Sequence, residues 1–162
     1  MVTIVTAAHN SNCTLLLRTS RSLAKLTVRT KWIIVKDHWS NMFCKTPLAY
    51  PFTLLENKGV RGLGPARQVG IQAVSTKYFI LLDDDDMLSP TSLEKALWVL
   101  EHMHQLSICG WFTQEFGYHS NQWRAGHFEG KKLTQENRVV YSQLVNTARV
   151  RSCGAAFRVM PN

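Results

Sequence analysis

Four consecutive aspartates, Asp83 to Asp86, follow directly on the apolar segment "KYFILL". Adjacent carboxylates at the end of a buried strand repel one another and lose hydration, so they cost stability unless a cation lies among them. If the backbone stays extended, Asp83 and Asp85 point to one side of the strand. Such an Asp-x-Asp (DXD) pair can hold Mg²⁺ or Mn²⁺ and leave coordination positions open for phosphate oxygens. The alternative is a solvated acidic loop in which Asp86 or Ser89 caps the following helix.

A glycine-rich segment, "GVRGLGPARQ", lies upstream at residues 59–68. Gly62 and Gly64 could let the backbone approach a phosphate, with Arg61 or Arg67 supplying positive charge. Alternatively, the glycines only form a tight turn before a helix that has Pro65 at its first position. The spacing is neither that of a P-loop nor that of a dinucleotide fingerprint, so this segment does not predict ATP or NAD binding.

The elements that must position these residues alternate along the first two thirds of the chain. Short apolar runs at 2–7, 32–36, 51–56 and 77–82 predict strands, and amphipathic patterns after the first, third and fourth runs predict helices. This alternation predicts an α/β fold with a mostly parallel sheet flanked by helices. From about residue 107 the apolar segments become shorter, which predicts mixed or antiparallel strands in the C-terminal third. We interpret residues 1–162 as a single domain.

Polar residues stand where the predicted parallel strands end. Ligands of open parallel sheets bind in the crevice beyond the carboxyl ends of the strands. We therefore expect one cleft to be lined by residues from distant parts of the sequence, namely His9, Asn10, Asp37, Ser40, Arg67 and the four aspartates.

Composition narrows the classes of partner. The formal net charge of +8 favours anionic partners, such as nucleotides, phospholipid headgroups or phosphorylated sugars. The basic residues are dispersed, with one adjacent pair at 131–132, so a dedicated nucleic-acid surface is not expected. The four cysteines lack paired metal or redox spacing, and no apolar run approaches the length of a membrane span. We expect free thiols and a cytoplasmic location, while peripheral membrane association stays open.

The segments "VTIVTAAHN", "WIIVKDHWS", "ENKGVRGLGPARQVGIQA" and "KYFILLDDDDMLSP", in this order, resemble the donor-binding half of family 2 glycosyltransferases of the GT-A fold. The resemblance covers residues 2 to about 112 well and the remainder loosely. It implies roles in binding the base, the nucleotide, the ribose and a divalent metal. The residues implied are Ala8, His9 and Asp37 for the base region, Arg67 for the nucleotide, Asp83 for the ribose and metal, and Asp85 for the metal.

The resemblance also implies an activity. It predicts a metal-dependent inverting glycosyltransferase, of the hexosyltransferase type, that uses a UDP-, GDP- or dTDP-linked sugar and an acceptor hydroxyl. Inverting members use an acid as catalytic base, typically in a Glu-Asp element after a stretch like "CGAAFRV". This chain ends at Asn162, just after that stretch, and contains no Glu-Asp pair. The base is therefore unknown, with Glu115, Glu129 and Glu136 as remaining acids. We expect a C-terminally truncated domain, with residues 1–112 binding the nucleotide sugar and 113–162 beginning the acceptor part.

Two other functions stay open from the residues alone. A nucleotidyltransferase would share the sheet and the acidic metal site but should carry a basic glycine-rich loop near the first strand, where this chain has "TAAHNSN". A non-catalytic module could use the same cleft to hold a nucleotide or a glycan, or could use the basic surface to hold nucleic acid. Nucleotide binding without sugar turnover would favour the module.

Overall fold

Four parallel strands form the centre of the computed structural model, which describes residues 1–8, 13–38, 47–104, 106, 108–110, 112–114, 122–124 and 143–146. They are β1 (Val2–Ala8), β2 (Thr30–Asp37), β3 (Thr53–Asn57) and β4 (Tyr78–Leu81), in the spatial order β3-β2-β1-β4. Because β1 lies between β2 and β4 and both faces of the sheet are covered, every residue of β1 is buried. The predicted parallel sheet is confirmed.

Three helices cover the two faces of this sheet. They are α1 (Cys13–Leu23), α2 (Leu63–Gln72) and α3 (Ser92–His102). Leucines of α1 and α3 share one core cluster with Ile4, Ile34 and Ile80. On the opposite face, Ala66 of α2 packs in a cluster with Val35 and its neighbours. Successive residues of a strand point to opposite faces, so the uninterrupted apolar strands supply both clusters.

The C-terminal strands confirm the predicted change to antiparallel pairing. They are β5 (Ile108–Gly110), β6 (Phe112–Gln114), β7 (Gln122–Arg124) and β8 (Gln143–Asn146). Strand β8 pairs antiparallel with both β4 and β5 and extends the sheet beyond β4, while β6 and β7 form a separate antiparallel pair. The predicted strand within "CGAAFRVM" lies outside the described residues.

The start of α3 differs from the capping interpretation. The helix begins at Ser92 with Thr91 at the N-cap, and no side chain caps it. Ser89 instead contributes its carbonyl oxygen, which accepts hydrogen bonds from the backbone and the hydroxyl of Ser92. The carbonyl of Pro90 accepts the backbone N–H of Thr27, at 3.0 Å, which holds this residue in the loop beside the end of α1. Ser89 and Asp86 are therefore not caps of α3.

Two expectations from the sequence concern the cysteines and the possibility of a membrane-spanning helix. Within the described residues, Cys13 and Cys109 form no disulfide bond, and burial raises the pKa of the Cys109 thiol. Cys44 and Cys153 lie outside the described residues. Within the described part of the chain, none of the helices has the length and apolar character needed to cross a bilayer.

Gly70 allows α2 to lie close to the sheet, and its replacement by alanine is expected to destabilise the fold. An added Cβ would clash with the side chain of Val5 and press on that of Val35. Overpacking of this kind costs about 1–3 kcal/mol, whereas alanine gains up to about 1 kcal/mol in a helix. We expect Gly70→Ala to lower the free energy of unfolding by about 1–2 kcal/mol in urea denaturation. Gly59→Ala, whose Cβ meets only an ordinary contact, serves as control. Equal stability of both variants would contradict this packing argument.

Candidate active site

The carboxyl ends of the parallel strands bring several predicted site residues to one edge of the sheet. Ala8 ends β1 and Asp37 ends β2, and both are buried. Asp83 follows β4 by two residues. Of the remaining candidates at this edge, His9, Asn10 and Ser40 lie outside the described residues.

Arg67 and Asp83, both predicted to contact the nucleotide, contact each other. Arg67 is the fifth residue of α2, and its Nη2 donates to Oδ1 of Asp83 at 2.6 Å. The side chains are only 15% and 20% exposed, so the pair is poorly screened by water. A guanidinium carries five N–H donors and a carboxylate accepts at two oxygens, so this contact uses only part of either group. The pair places a fixed cation beside the first aspartate.

The four aspartates do not continue the strand. Strand pairing with β1 ends where the N–H of Leu82 donates to the carbonyl of Val5. The chain then turns at Asp84 and Asp85, and the N–H of Asp86 donates to the carbonyl of Asp83 at 3.3 Å. The premise of an extended backbone, with alternate side chains on opposite sides, is therefore wrong. We call Asp83–Asp86 the acidic turn. Asp85 lies exposed at its tip, while Asp83 is directed to Arg67.

The electrostatics of the acidic turn favour a cation. Burial, and then the negative charges of Asp83, Asp85 and Asp84 in that order of importance, together raise the pKa of Asp86 to about 6. A carboxylic acid with such a pKa carries negative charge at neutral pH at a cost in free energy. A divalent ion at the turn would relieve that cost.

The donor atoms fit an ion that is shared with a substrate. Among the residues that the structure describes, no three His, Cys, Asp or Glu side chains are grouped to hold a metal ion by themselves. Mg²⁺ is typically held by one or two carboxylates, with substrate phosphates and water completing its coordination. An exposed Asp85 next to the paired Asp83 matches this arrangement in donor type and number.

Asn57, which sequence reasoning did not single out, joins β3 to the loop before α2. Its Nδ2 donates to Oδ1 of Asp37 at 2.6 Å and to the carbonyl of Val60 at 2.8 Å. Its Oδ1 accepts the N–H of Gly59 at 3.1 Å, which is the hydrogen bond of an Asx turn. The sequence did carry a signal, because "ENKG" places an asparagine two residues before a glycine at the end of a strand.

Asp37 is tied to the start of α2 as well. The N–H of Gly62 donates to Oδ2 of Asp37 at 3.2 Å. Gly62 precedes α2 with a φ of 136°, a backbone conformation that residues other than glycine rarely adopt. The structure thus favours the tight-turn interpretation for Gly62. The carboxylate of Asp37, only 3% exposed, organises the loop from Asn57 to Gly62.

Replacing Asp86 with asparagine is expected to stabilise the protein above pH 6. Because the pKa of this carboxyl is raised in the folded state, the carboxyl contributes to stability at pH values below its ordinary pKa of 3.8. This contribution is lost as the pH rises through about 6. The gain in the free energy of unfolding is at most about 3 kcal/mol. Partial exposure of Asp86 to water reduces the expected gain to about 1–2 kcal/mol. Urea unfolding with EDTA at pH 8 and at pH 4 measures it. The gain should be present at pH 8 and absent at pH 4; the same gain at both pH values would contradict the assignment.

The family to which this chain belongs is shown by its match to a known protein family. Residues 3–160 match the family described as Glycosyl transferase family 2. The chain belongs to glycosyl transferase family 2. The resemblance seen in its strand ends and acidic run is confirmed, and the chain is a transferase by family. No curated protein matches it.

Solved structures confirm the GT-A fold for this family 2 chain. One is S. aureus TarS 1-349 in complex with UDP-GlcNAc, with a TM-score of 0.72 at 13% identity over 94% of this chain and 47% of TarS. The same protein in complex with UDP gives a TM-score of 0.65 at 14% identity over 94% of this chain and 48% of TarS. The mannosyltransferase PcManGT from Pyrobaculum calidifontis, in complex with GDP-Man and Mn²⁺, gives 0.52 at 16% identity over 61% and 32%. The chain thus spans about half the length of these TarS structures.

Proposed function

We propose that this chain binds the donor of a metal-dependent inverting glycosyltransferase, which moves a sugar from a nucleoside diphosphate to an acceptor hydroxyl. The observation that carries the proposal is the convergence of a buried carboxylate, an arginine–aspartate pair and the acidic turn at one edge of a GT-A sheet. Relatives of this fold have been solved with UDP-GlcNAc and with GDP-Man and Mn²⁺, which supports a nucleotide-sugar donor and a divalent ion.

Asp37 is proposed to bind the base. Its carboxylate, which accepts hydrogen bonds from Asn57 and Gly62 at the carboxyl edge of the sheet, is an acceptor for N–H donors. Uracil, thymine and guanine all carry such an N–H on their pairing edge. Ala8, at the neighbouring strand end, would form part of the floor beneath the base.

Arg67 and the acidic turn are proposed to bind the diphosphate. The contact with Asp83 orients the guanidinium of Arg67 before any phosphate arrives, so that little side-chain freedom is lost on binding. Asp85, with Asp83, would hold Mn²⁺ or Mg²⁺, which stabilises the negative charge that develops on the leaving phosphate oxygens. Asp83 would in addition contact the ribose.

The acceptor part is not assigned to residues. Inversion by direct displacement requires a base that takes the proton from the acceptor hydroxyl. The acids considered for this role, Glu115, Glu129 and Glu136, lie outside the described residues. The proposal therefore concerns the donor side of the reaction.

A thermal-shift titration with UDP, GDP and dTDP, each with Mn²⁺ or with EDTA, tests the proposal. A ligand that binds the folded state raises its stability by about 2.7 kcal/mol at 100 times its Kd. We expect one nucleotide to raise the melting temperature in Mn²⁺ and to do so much less in EDTA. Absence of a shift with all three nucleotides would refute the donor site, and an equal shift in EDTA would refute metal dependence.

A further inference from the structure

Helix α1 holds the acidic turn and the residues that follow it through side-chain hydroxyls, although α1 supplies none of the residues proposed to touch the donor. The hydroxyl of Thr19 donates to the carbonyl of Asp86 at 2.6 Å and to the carbonyl of Asp84 at 3.0 Å. One turn further along α1, the hydroxyl of Ser22 accepts the N–H of Leu88 at 3.2 Å. These contacts join segments that are 65 to 67 residues apart in the sequence.

The contact of Thr19 is unusual for a threonine within a helix. Such a hydroxyl commonly bonds a carbonyl of its own helix three or four residues earlier. Thr19 is fully buried, at 0% exposure, and its single proton is instead shared between two carbonyls of the acidic turn. Those carbonyls belong to the residues on either side of Asp85. Together they set the direction of the backbone at the tip of the turn.

We propose that Thr19 is a positioning residue for the metal-binding carboxylate of Asp85, an inference that rests on the proposed function. The aspartates repel one another, and the hydrogen bond that closes their turn, at 3.3 Å, is longer than is usual for an N–H···O contact. Without the Thr19 hydroxyl, the turn would open to separate its charges. With it, Asp85 is presented at a fixed place beside Asp83 and Arg67, so less freedom is lost when an ion binds.

Three variants separate this role from general stability. Thr19→Val keeps the shape of the side chain and removes its hydroxyl, while Thr19→Ser keeps the hydroxyl. Thr3→Val is the matched control, because Thr3 is also buried and its hydroxyl bonds that of Thr76, at 2.7 Å, near the opposite end of β1. The readout is the Kd of Mn²⁺, followed by the electron paramagnetic resonance of free Mn²⁺, with saturating UDP, GDP or dTDP, whichever stabilises the wild type most.

Mutation of residues that orient metal ligands without touching the metal typically lowers metal affinity by about 10-fold to 100-fold. We expect Thr19→Val to weaken Mn²⁺ binding by about 10-fold, and Thr19→Ser and Thr3→Val to stay within about 2-fold of the wild type. Amide hydrogen exchange at residues 84–87 should be faster in Thr19→Val than in Thr3→Val. If Thr19→Val does not fold, Ser22→Ala replaces it, with a smaller weakening expected in the same direction.

The outcomes distinguish this inference from the function on which it rests. If the wild type binds Mn²⁺ with the nucleotide and Thr19→Val binds it equally tightly, the positioning role is wrong and the proposed function stands. If the wild type binds no Mn²⁺, the metal-dependent function and the role of Thr19 both fail. Equal weakening in Thr19→Val and Thr3→Val would show an effect of stability alone and would also overturn the positioning role.

Discussion

Replacing Asp85 with alanine is expected to weaken the Mn²⁺-dependent binding of a nucleoside diphosphate by about 100-fold, or roughly 2.7 kcal/mol. The carboxylate is exposed at the tip of the acidic turn, where it can reach an ion that also contacts phosphate oxygens. Loss of a carboxylate that coordinates the ion should weaken metal binding at least as much as loss of an outer residue that orients such a carboxylate. Isothermal titration with the preferred nucleotide, in Mn²⁺ and in EDTA, measures the difference.

The control for this variant must remove one negative charge elsewhere. Glu101→Gln does so near the opposite end of β4, where Glu101 pairs with Lys77 and Tyr78. We expect this control to bind nucleotide like the wild type. Because Asp85 repels its neighbours, Asp85→Ala should fold at least as stably as the wild type without metal. Unchanged Mn²⁺ dependence in Asp85→Ala would exclude Asp85 as a ligand.

Replacing Asp37 with asparagine is expected to lower the free energy of unfolding by about 2–3 kcal/mol and to abolish measurable nucleotide binding. Both carboxylate oxygens accept donors, from Asn57 and from the N–H of Gly62. An asparagine would turn an NH₂ group toward one of these donors and leave it unsatisfied in a buried place, which costs about 1–3 kcal/mol. Loss of the negative charge weakens the remaining bond as well. Urea unfolding and nucleotide titration measure the two effects.

The matched control lies one residue away in the same pair of strands. Lys36 and Glu56 are register partners next to Asp37 and Asn57, and the amine of the half-buried Lys36 lies 4.0 Å from the carboxylate of the exposed Glu56. We expect Glu56→Gln to change stability by less than about 1 kcal/mol, as is usual for a surface pair. A comparably small effect of Asp37→Asn would mean that its carboxylate does not organise the loop.

Helix α2 links the two halves of the candidate site. Asp37 holds Gly62 at the start of this helix, and Arg67, one turn later, holds Asp83. A change at Asp37 should therefore disturb the arginine that is proposed to bind the diphosphate, even though the two side chains belong to different parts of the site. This connection is why the expected loss of nucleotide binding exceeds that of a single base contact.

The fold class and most of the helices and strands were predictable from the amino-acid sequence. Apolar runs of β-branched and aromatic residues, alternating with helical periodicity, predicted the parallel strands and their helices to within a few residues. The same pattern predicted that Asp37 and the aspartates would stand at the carboxyl edge, since parallel strands all end on the same side. Residue type and order along the chain are sufficient for these conclusions.

How those residues pair depends on the tertiary structure. The aspartates turn because strand pairing ends at Leu82, Arg67 meets Asp83 because α2 docks on the sheet, and Thr19 reaches the acidic turn because α1 lies beside it. Each contact joins residues that are distant in sequence, and its geometry depends on strand order and helix packing. Local propensities act over only a few residues, so they cannot specify such pairs.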